Sequence, residues 1–266
     1  MKKFSLFAAV CLVALVFASC DSPNKNGGTL KVTAKVTDGD MVNSQVDEVR
    51  AVGYIYGEEI EVPVDWDGDG EVDWYEYQRE STDIIIATAP FKNGGFTITL
   101  PKQIDERLLE EGDFSYLEEY YGGKVTVSNK NFKTTIVEEF EAYKNNKRVG
   151  YFVYYYASMT SEGYAVYMFV DSDVKITGTI SESEEWDGRV YTDEEIYDIN
   201  LKEGWNAVYM LYSEVGNSER TTYSTSKPDK NFEWVYDGGY YYDYVKAKAP
   251  HKALKKHSSK FLKMFR

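Results

Sequence analysis

The sequence predicts an all-β protein of two β-sandwich domains, with one short helix between them and an acidic loop inserted in the first. Three observations predict it. Apolar and polar residues alternate with period two through many short runs, the pattern of half-buried strands. Gly, Asn and Asp clusters separate those runs at short intervals. A single segment, residues 103–111, spaces its apolar side chains as a helix does.

The chain opens with Lys2 and Lys3, continues through an apolar run at residues 6–17, and reaches Ala18-Ser19-Cys20. That run is too short for a membrane-spanning helix, which needs about 20 apolar residues. Small residues before Cys20 read as a cleavage site, so residues 1–19 are expected to be a signal peptide. The ending resembles a bacterial lipobox, with Phe17 where that pattern prefers Leu. The resemblance implies that the Cys20 thiol is acylated and becomes the mature N-terminus, the alternative being an ordinary cleaved signal. Lipidation is favoured because the other cysteine, Cys11, lies in the leader and leaves Cys20 without a disulfide partner. Two or more acyl chains hold a protein durably at a membrane, so the expected location is lipid-anchored, at the outer membrane or cell surface. Residues 20–28 are then the lipidated N-terminus and a polar, Gly-rich linker.

The first domain is expected over residues 29–122. Leu30, Val32, Ala34 and Val36 alternate with polar neighbours, and Asp38-Gly39-Asp40 ends that strand with turn chemistry. Further strands are expected at 46–56, 83–89 and 96–100, with Asn93-Gly94-Gly95 as a tight hairpin between the last two. Pro101 closes the last of these, and a helix over 103–111 places Ile104, Leu108 and Leu109 on one side before Gly112 stops it.

One motif in this domain carries chemistry. Residues 65–76 fit the twelve-residue calcium loop of the EF-hand: Asp65, Asp67 and Asp69 stand at positions 1, 3 and 5, and Gly70 permits the turn at 6. Glu71 offers its carbonyl, Asp73 fills position 9 and Glu76 supplies a bidentate carboxylate at 12. So many carboxylates in one short segment repel one another unless a cation draws them together, and Ca2+ takes six to eight hard oxygens. The flanks are not those of an EF-hand, because residues 58–64 alternate as a strand and contain Pro63. The expectation is therefore an EF-hand-like loop between strands, holding a structural calcium; the alternative is a solvated acidic turn. Trp66 and Trp74 beside the ligands would report occupancy by fluorescence.

The second domain is expected over residues 123–237, with the boundary near Gly122-Gly123. Its strands are predicted at 124–128, 134–143, 149–157, 164–170, 174–180, 197–201, 206–213 and 232–236. Turns are expected at Asn145-Asn146, Glu162-Gly163 and Glu203-Gly204. The 24 tyrosines suit strands that are apolar on one face and wet at the hydroxyl, and a contiguous exposed set would instead make a platform for sugar.

Charge narrows the partners. Residues 238–266 form a basic tail, of which 246–266 hold eight Lys and Arg and no acid; with Lys2 and Lys3 also set apart, residues 21–245 carry 20 basic against 44 acidic side chains. An anionic body repels polyanions, so no nucleic-acid partner is expected. Both histidines, His251 and His257, sit in the tail, which leaves the body no histidine for a general base or a zinc ligand. No nucleophile and base are paired by any motif, so no catalytic residue is assigned, and a glycosidase-type carboxylate pair is the one enzymatic alternative.

Four segments resemble a group of functionally uncharacterised surface lipoproteins of gut Bacteroidetes. They are Lys92-Asn93-Gly94-Gly95-Phe96-Thr97-Ile98-Thr99-Leu100-Pro101, Val127-Ser128-Asn129, the run from Phe169-Val170-Asp171-Ser172-Asp173 to Gly178, and the run from Asn200-Leu201-Lys202-Glu203-Gly204-Trp205 to Tyr209. The resemblance implies a surface location, β-sandwich architecture and a core anchored by Trp205. The first domain is similar in pattern to transthyretin-like or prealbumin-like sandwiches, which serve as spacers or binding modules. The expected function is a lipid-anchored surface protein that binds or displays, with a glycan or protein ligand; a surface glycan hydrolase and a subunit of a surface complex are the alternatives.

Overall fold

A computed structural model describes residues 28–64, 72, 74–112 and 124–238. The leader, Cys20, most of the acidic loop, Gly122-Gly123 and the tail from 239 onward lie outside the described residues. The all-β reading holds throughout those that are described.

β1 (Leu30–Lys35) alternates as its sequence demands: Leu30, Val32 and Ala34 are buried while Lys31, Thr33 and Lys35 face solvent. It pairs antiparallel with β4 (Gly95–Leu100), Leu30 opposite Leu100 and Ala34 opposite Phe96. After β1, where only a turn was expected, the chain forms one helical turn, α1 (Gly39–Val42). Gly39 is needed there, because a Cβ would lie 2.3 Å from the Gly94 carbonyl oxygen.

β2 (Glu48–Val64) and β3 (Trp74–Pro90) run well past the strands expected at 46–56 and 83–89 and stay paired out to Val64 and Trp74. The ladder shifts register twice, between Ala51 and Val52 and between Tyr56 and Glu59. Within the expected Asn93-Gly94-Gly95 turn, Asn93 (φ 54) and Gly94 (φ 69) are the two turn residues, and Lys92 and Gly95 exchange backbone hydrogen bonds of 2.9 and 3.1 Å. The turn does not close a hairpin ladder, however, because β3 pairs with β2 and β4 pairs with β1; it carries the chain from one sheet to another.

The expected helix over 103–111 is replaced by a single 3-10 turn, Glu106–Leu108, and a two-residue strand, β5 (Glu110–Glu111). Asp105 caps that turn, accepting from the Arg107 backbone N–H at 3.0 Å, and Leu109 already has extended dihedrals. Leu108 alone is deeply buried, against Gly53. The pairing of Glu110 with Thr134 then takes up the backbone groups that a longer helix would have used internally.

The second half supplies β6 (Val125–Val127), β7 (Lys133–Val137), β8 (Phe140–Lys144), β9 (Lys147–Ala157), β10 (Ser161–Val170), β11 (Val174–Trp186), β12 (Arg189–Leu201), β13 (Gly204–Val215), β14 (Ser218–Ser224) and β15 (Glu233–Asp237). Most expected strands are present, with three corrections. The run 134–143 divides at Glu138-Glu139 into β7 and β8. Glu162-Gly163 is not a turn but part of β10, paired with Tyr212 and Leu211. β14 was not anticipated: its Ser- and Thr-rich sequence becomes a strand because it lies between β12, to which it is parallel, and β13.

One large sheet runs β3-β2-β8-β9-β10-β13-β14-β12-β11-β6, with β15 on β9 and β7 on β10. Its middle is buried on both faces. Ala165, Tyr167 and Phe169 of β10, with Trp205 and Tyr209 of β13, join β1 and β4 in one core. The intervening Val166, Met168, Val170, Val208 and Met210 enter a second core with Val125, Ile176, Ile199 and Tyr223. Packing therefore does not divide at 122/123. A two-stranded ribbon cannot bury its own apolar face, so Val32, Phe96 and Ile98 share a core with Phe140, Phe152 and Trp234 from beyond that point. Trp205 is an anchor as expected: it is 3% exposed, and its Nε1 donates to the Pro101 carbonyl at 2.8 Å.

Candidate functional site

β2 has two neighbours only at its start. Glu48, Val49 and Arg50 pair with Tyr143, Ala142 and Glu141 of β8; beyond Arg50, β3 is its sole ladder partner. β7 gives way to β8 at Glu138-Glu139. A cleft of about 260 Å3 lies between β2 and β7.

Tyr54 and Tyr56, on one side of β2, form a wall of this cleft, their ring centroids 6.4 Å apart. Val52, Leu108 and Ile136 supply apolar floor, and Glu110, Thr135, Glu138 and Glu139 supply polar groups. Among the described residues no lysine or arginine lines it. Burial, reinforced by the charges of Glu138, Asp237 and Glu141, pushes the Glu139 carboxyl up to about 7, while Arg148 pulls the other way. Glu139 is therefore a carboxyl that both donates and accepts hydrogen bonds near neutrality.

Tyr54 is held from behind. Glu141, 1% exposed, accepts from the Tyr54 hydroxyl at 3.1 Å, the Tyr143 hydroxyl at 2.7 Å and Arg148 Nη1 at 2.7 Å. Burial and the neighbouring Glu141 charge push the Tyr54 phenol above its ordinary range, so it remains a donor. The Tyr143 ring is in turn covered by the Arg50 guanidinium, 3.7 Å from its centroid.

Asp65, Asp67, Asp69, Glu71 and Asp73 lie outside the described residues, as does Cys20. The strand flanks inferred for the loop are present, since Val64 pairs with Trp74 and Glu76 falls within β3 opposite Val62. Among the described residues no three Asp, Glu, His or Cys side chains converge to hold a metal, and no helix is long and apolar enough to cross a membrane. Sequence reasoning did not find the cleft. The only local signal was the Glu138-Glu139 pair interrupting an apolar alternation, together with Tyr54 and Tyr56 two residues apart.

No family model, curated protein or solved structure matches the chain.

Proposed function

We propose that the chain is a lipid-anchored surface protein that acts by binding or display, with a structural calcium in the 65–76 loop at the tip of the β2–β3 hairpin. The observation that carries this reading is the closure of a long ladder at Val64 and Trp74, which brings the two ends of the acidic segment to adjacent strands. Asp65, Asp67, Asp69, Asp73 and Glu76 would hold the ion through carboxylates and Glu71 through its carbonyl. The ion neutralises their mutual repulsion and stiffens the hairpin tip. The leader and Cys20 support export and anchoring, and the likeness to Bacteroidetes surface lipoproteins supports the same address. The register also places Glu182, Asp193, Glu219 and Glu214 in one row across four strands, a face that repels nucleic acid.

Calcium titration of the chelator-treated protein tests this. Tryptophan emission from Trp66 and Trp74 is expected to change with half-saturation at about 10⁻⁴ to 10⁻³ M, the range of extracellular modules. Glu76→Gln is expected to weaken binding by about tenfold or more, since it removes one of the six ligand positions. An emission and a melting temperature both indifferent to about 10 mM Ca2+, well above that range, would refute the calcium assignment.

A second reading, a surface glycan hydrolase, is favoured by one observation: Glu139, protonated near neutrality, shares a cleft with two other glutamates. Turnover of glycans that is abolished by Glu139→Gln distinguishes it from binding alone.

A further inference from the structure

We infer that the cleft between β2 and β7 is a binding site for a neutral glycan, one sugar ring lying against Tyr54 and Tyr56 with its hydroxyls on Glu110, Glu138 and Glu139. The inference depends on neither the anchor nor the calcium loop.

Size comes first. At about 260 Å3 the cleft falls just below the range of about 300–1,000 Å3 typical of small-molecule pockets, so it takes one ring of an open-ended chain and not a folded partner. Its lining is amphipathic in the way a sugar is: aromatic walls suit the C–H face of a pyranose, and carboxyl oxygens suit its hydroxyls. Three glutamates among its described lining residues favour a neutral ligand over a phosphorylated, sulfated or uronic acid one.

Preorganisation supports the same conclusion. The Tyr54 hydroxyl is spent on Glu141, whose other partners are Tyr143 and Arg148, so that ring is fixed before any ligand arrives. Tyr54 is thus part of the wall, and Glu141 is a positioning residue.

The charge state of Glu139 sets a pH dependence. The groups facing it are Glu138 beside it, Glu141 on β8, Asp237 on β15 and Arg148 on β9, with Glu110 of β5 in the same lining. Below about pH 7 the carboxyl keeps its proton and donates to a sugar oxygen. Above it, Glu139 becomes negative beside Glu138, Asp237 and Glu141, and the donor is lost. Affinity is therefore full on the acid side and falls as pH rises through neutrality.

Calorimetric titration of the purified full chain tests the proposal. The probes are cellotetraose, xylotetraose, maltotetraose and mannotetraose, with spermidine and tetragalacturonate as charged controls. At least one neutral tetraose is expected to bind, about tenfold more weakly at pH 8.5 than at about pH 5.5. Tyr56→Ala is expected to lose about tenfold or more of that affinity, the scale of a lost aromatic contact. Glu139→Gln, neutral at every pH, is expected to hold the acid-side affinity and flatten the profile, which keeps the test sound should the alanine variant misfold. Absence of neutral-probe binding up to about 10 mM, near the weak limit of specific sites, would overturn the assignment. So would preferential binding of spermidine or tetragalacturonate, or a Tyr56→Ala variant, folded by circular dichroism, that binds unchanged.

Discussion

Trp234→Ala is expected to lower the unfolding free energy by about 3–5 kcal/mol, the cost of emptying a large aromatic site that cannot collapse. Trp234 is 4% exposed, and its ring meets Tyr154 at 5.1 Å, Phe96 at 5.3 Å and Phe140 at 5.7 Å. Those rings come from β9, β4 and β8, so no single strand can shift to fill the void without breaking its own ladder. The same residue joins the layers through its backbone: its carbonyl accepts from Thr37 N–H at 2.8 Å, where the β1 segment bridges β15. Urea unfolding is the check. A midpoint that falls with an unchanged slope is expected, and a variant within about 1 kcal/mol of the parent contradicts the shared core.

Arg148→Ala is the second large effect, expected at about 2–3 kcal/mol. Removing one partner of a buried ion pair costs roughly 3–5 kcal/mol because the other charge is stranded. Here the figure is smaller, since Tyr54 and Tyr143 still donate to Glu141 and the Arg148 side chain is itself 47% exposed. The measurement is a double-mutant cycle with Glu141→Leu. In the double variant no charge is left buried, so part of the loss should return; additive single effects would show that the pair is not coupled.

Both predictions rest on contacts that are distant in sequence, and this separates what was legible from what was not. β1 and β4 could be read directly, because one face of each is wet and the alternation survives. The Asn93-Gly94 and Asn145-Asn146 turns could be read because positive φ at two successive residues restricts the residue types. β10 and β13 were legible as strands but not as a wall between two cores, since a strand buried on both faces shows a continuous apolar run with no indication of what lies on either side. Residues 103–111 misled for a related reason: the local spacing favoured a helix, and a strand partner 24 residues beyond Glu110 decided otherwise.

The two sites differ in the same way. A twelve-residue chelating loop is a local object, so spacing alone identifies Asp65 to Glu76 as candidates. The cleft lies between β2, past the end of its pairing with β8, and β7, and none of Tyr54, Glu110, Glu139 or Arg148 belongs to a motif. Its most informative feature was a pair of glutamates where an uninterrupted strand was expected.

Tethering at a surface is the premise on which the extracellular calcium and the proposed address both depend. The most direct test is the mass of the N-terminal peptide of protein recovered from the host's membranes. The account predicts a peptide that begins at Cys20 and carries a diacylglyceryl thioether. A retained leader, or an unmodified Cys20 thiol on chains recovered from the soluble cytoplasmic fraction, would contradict it.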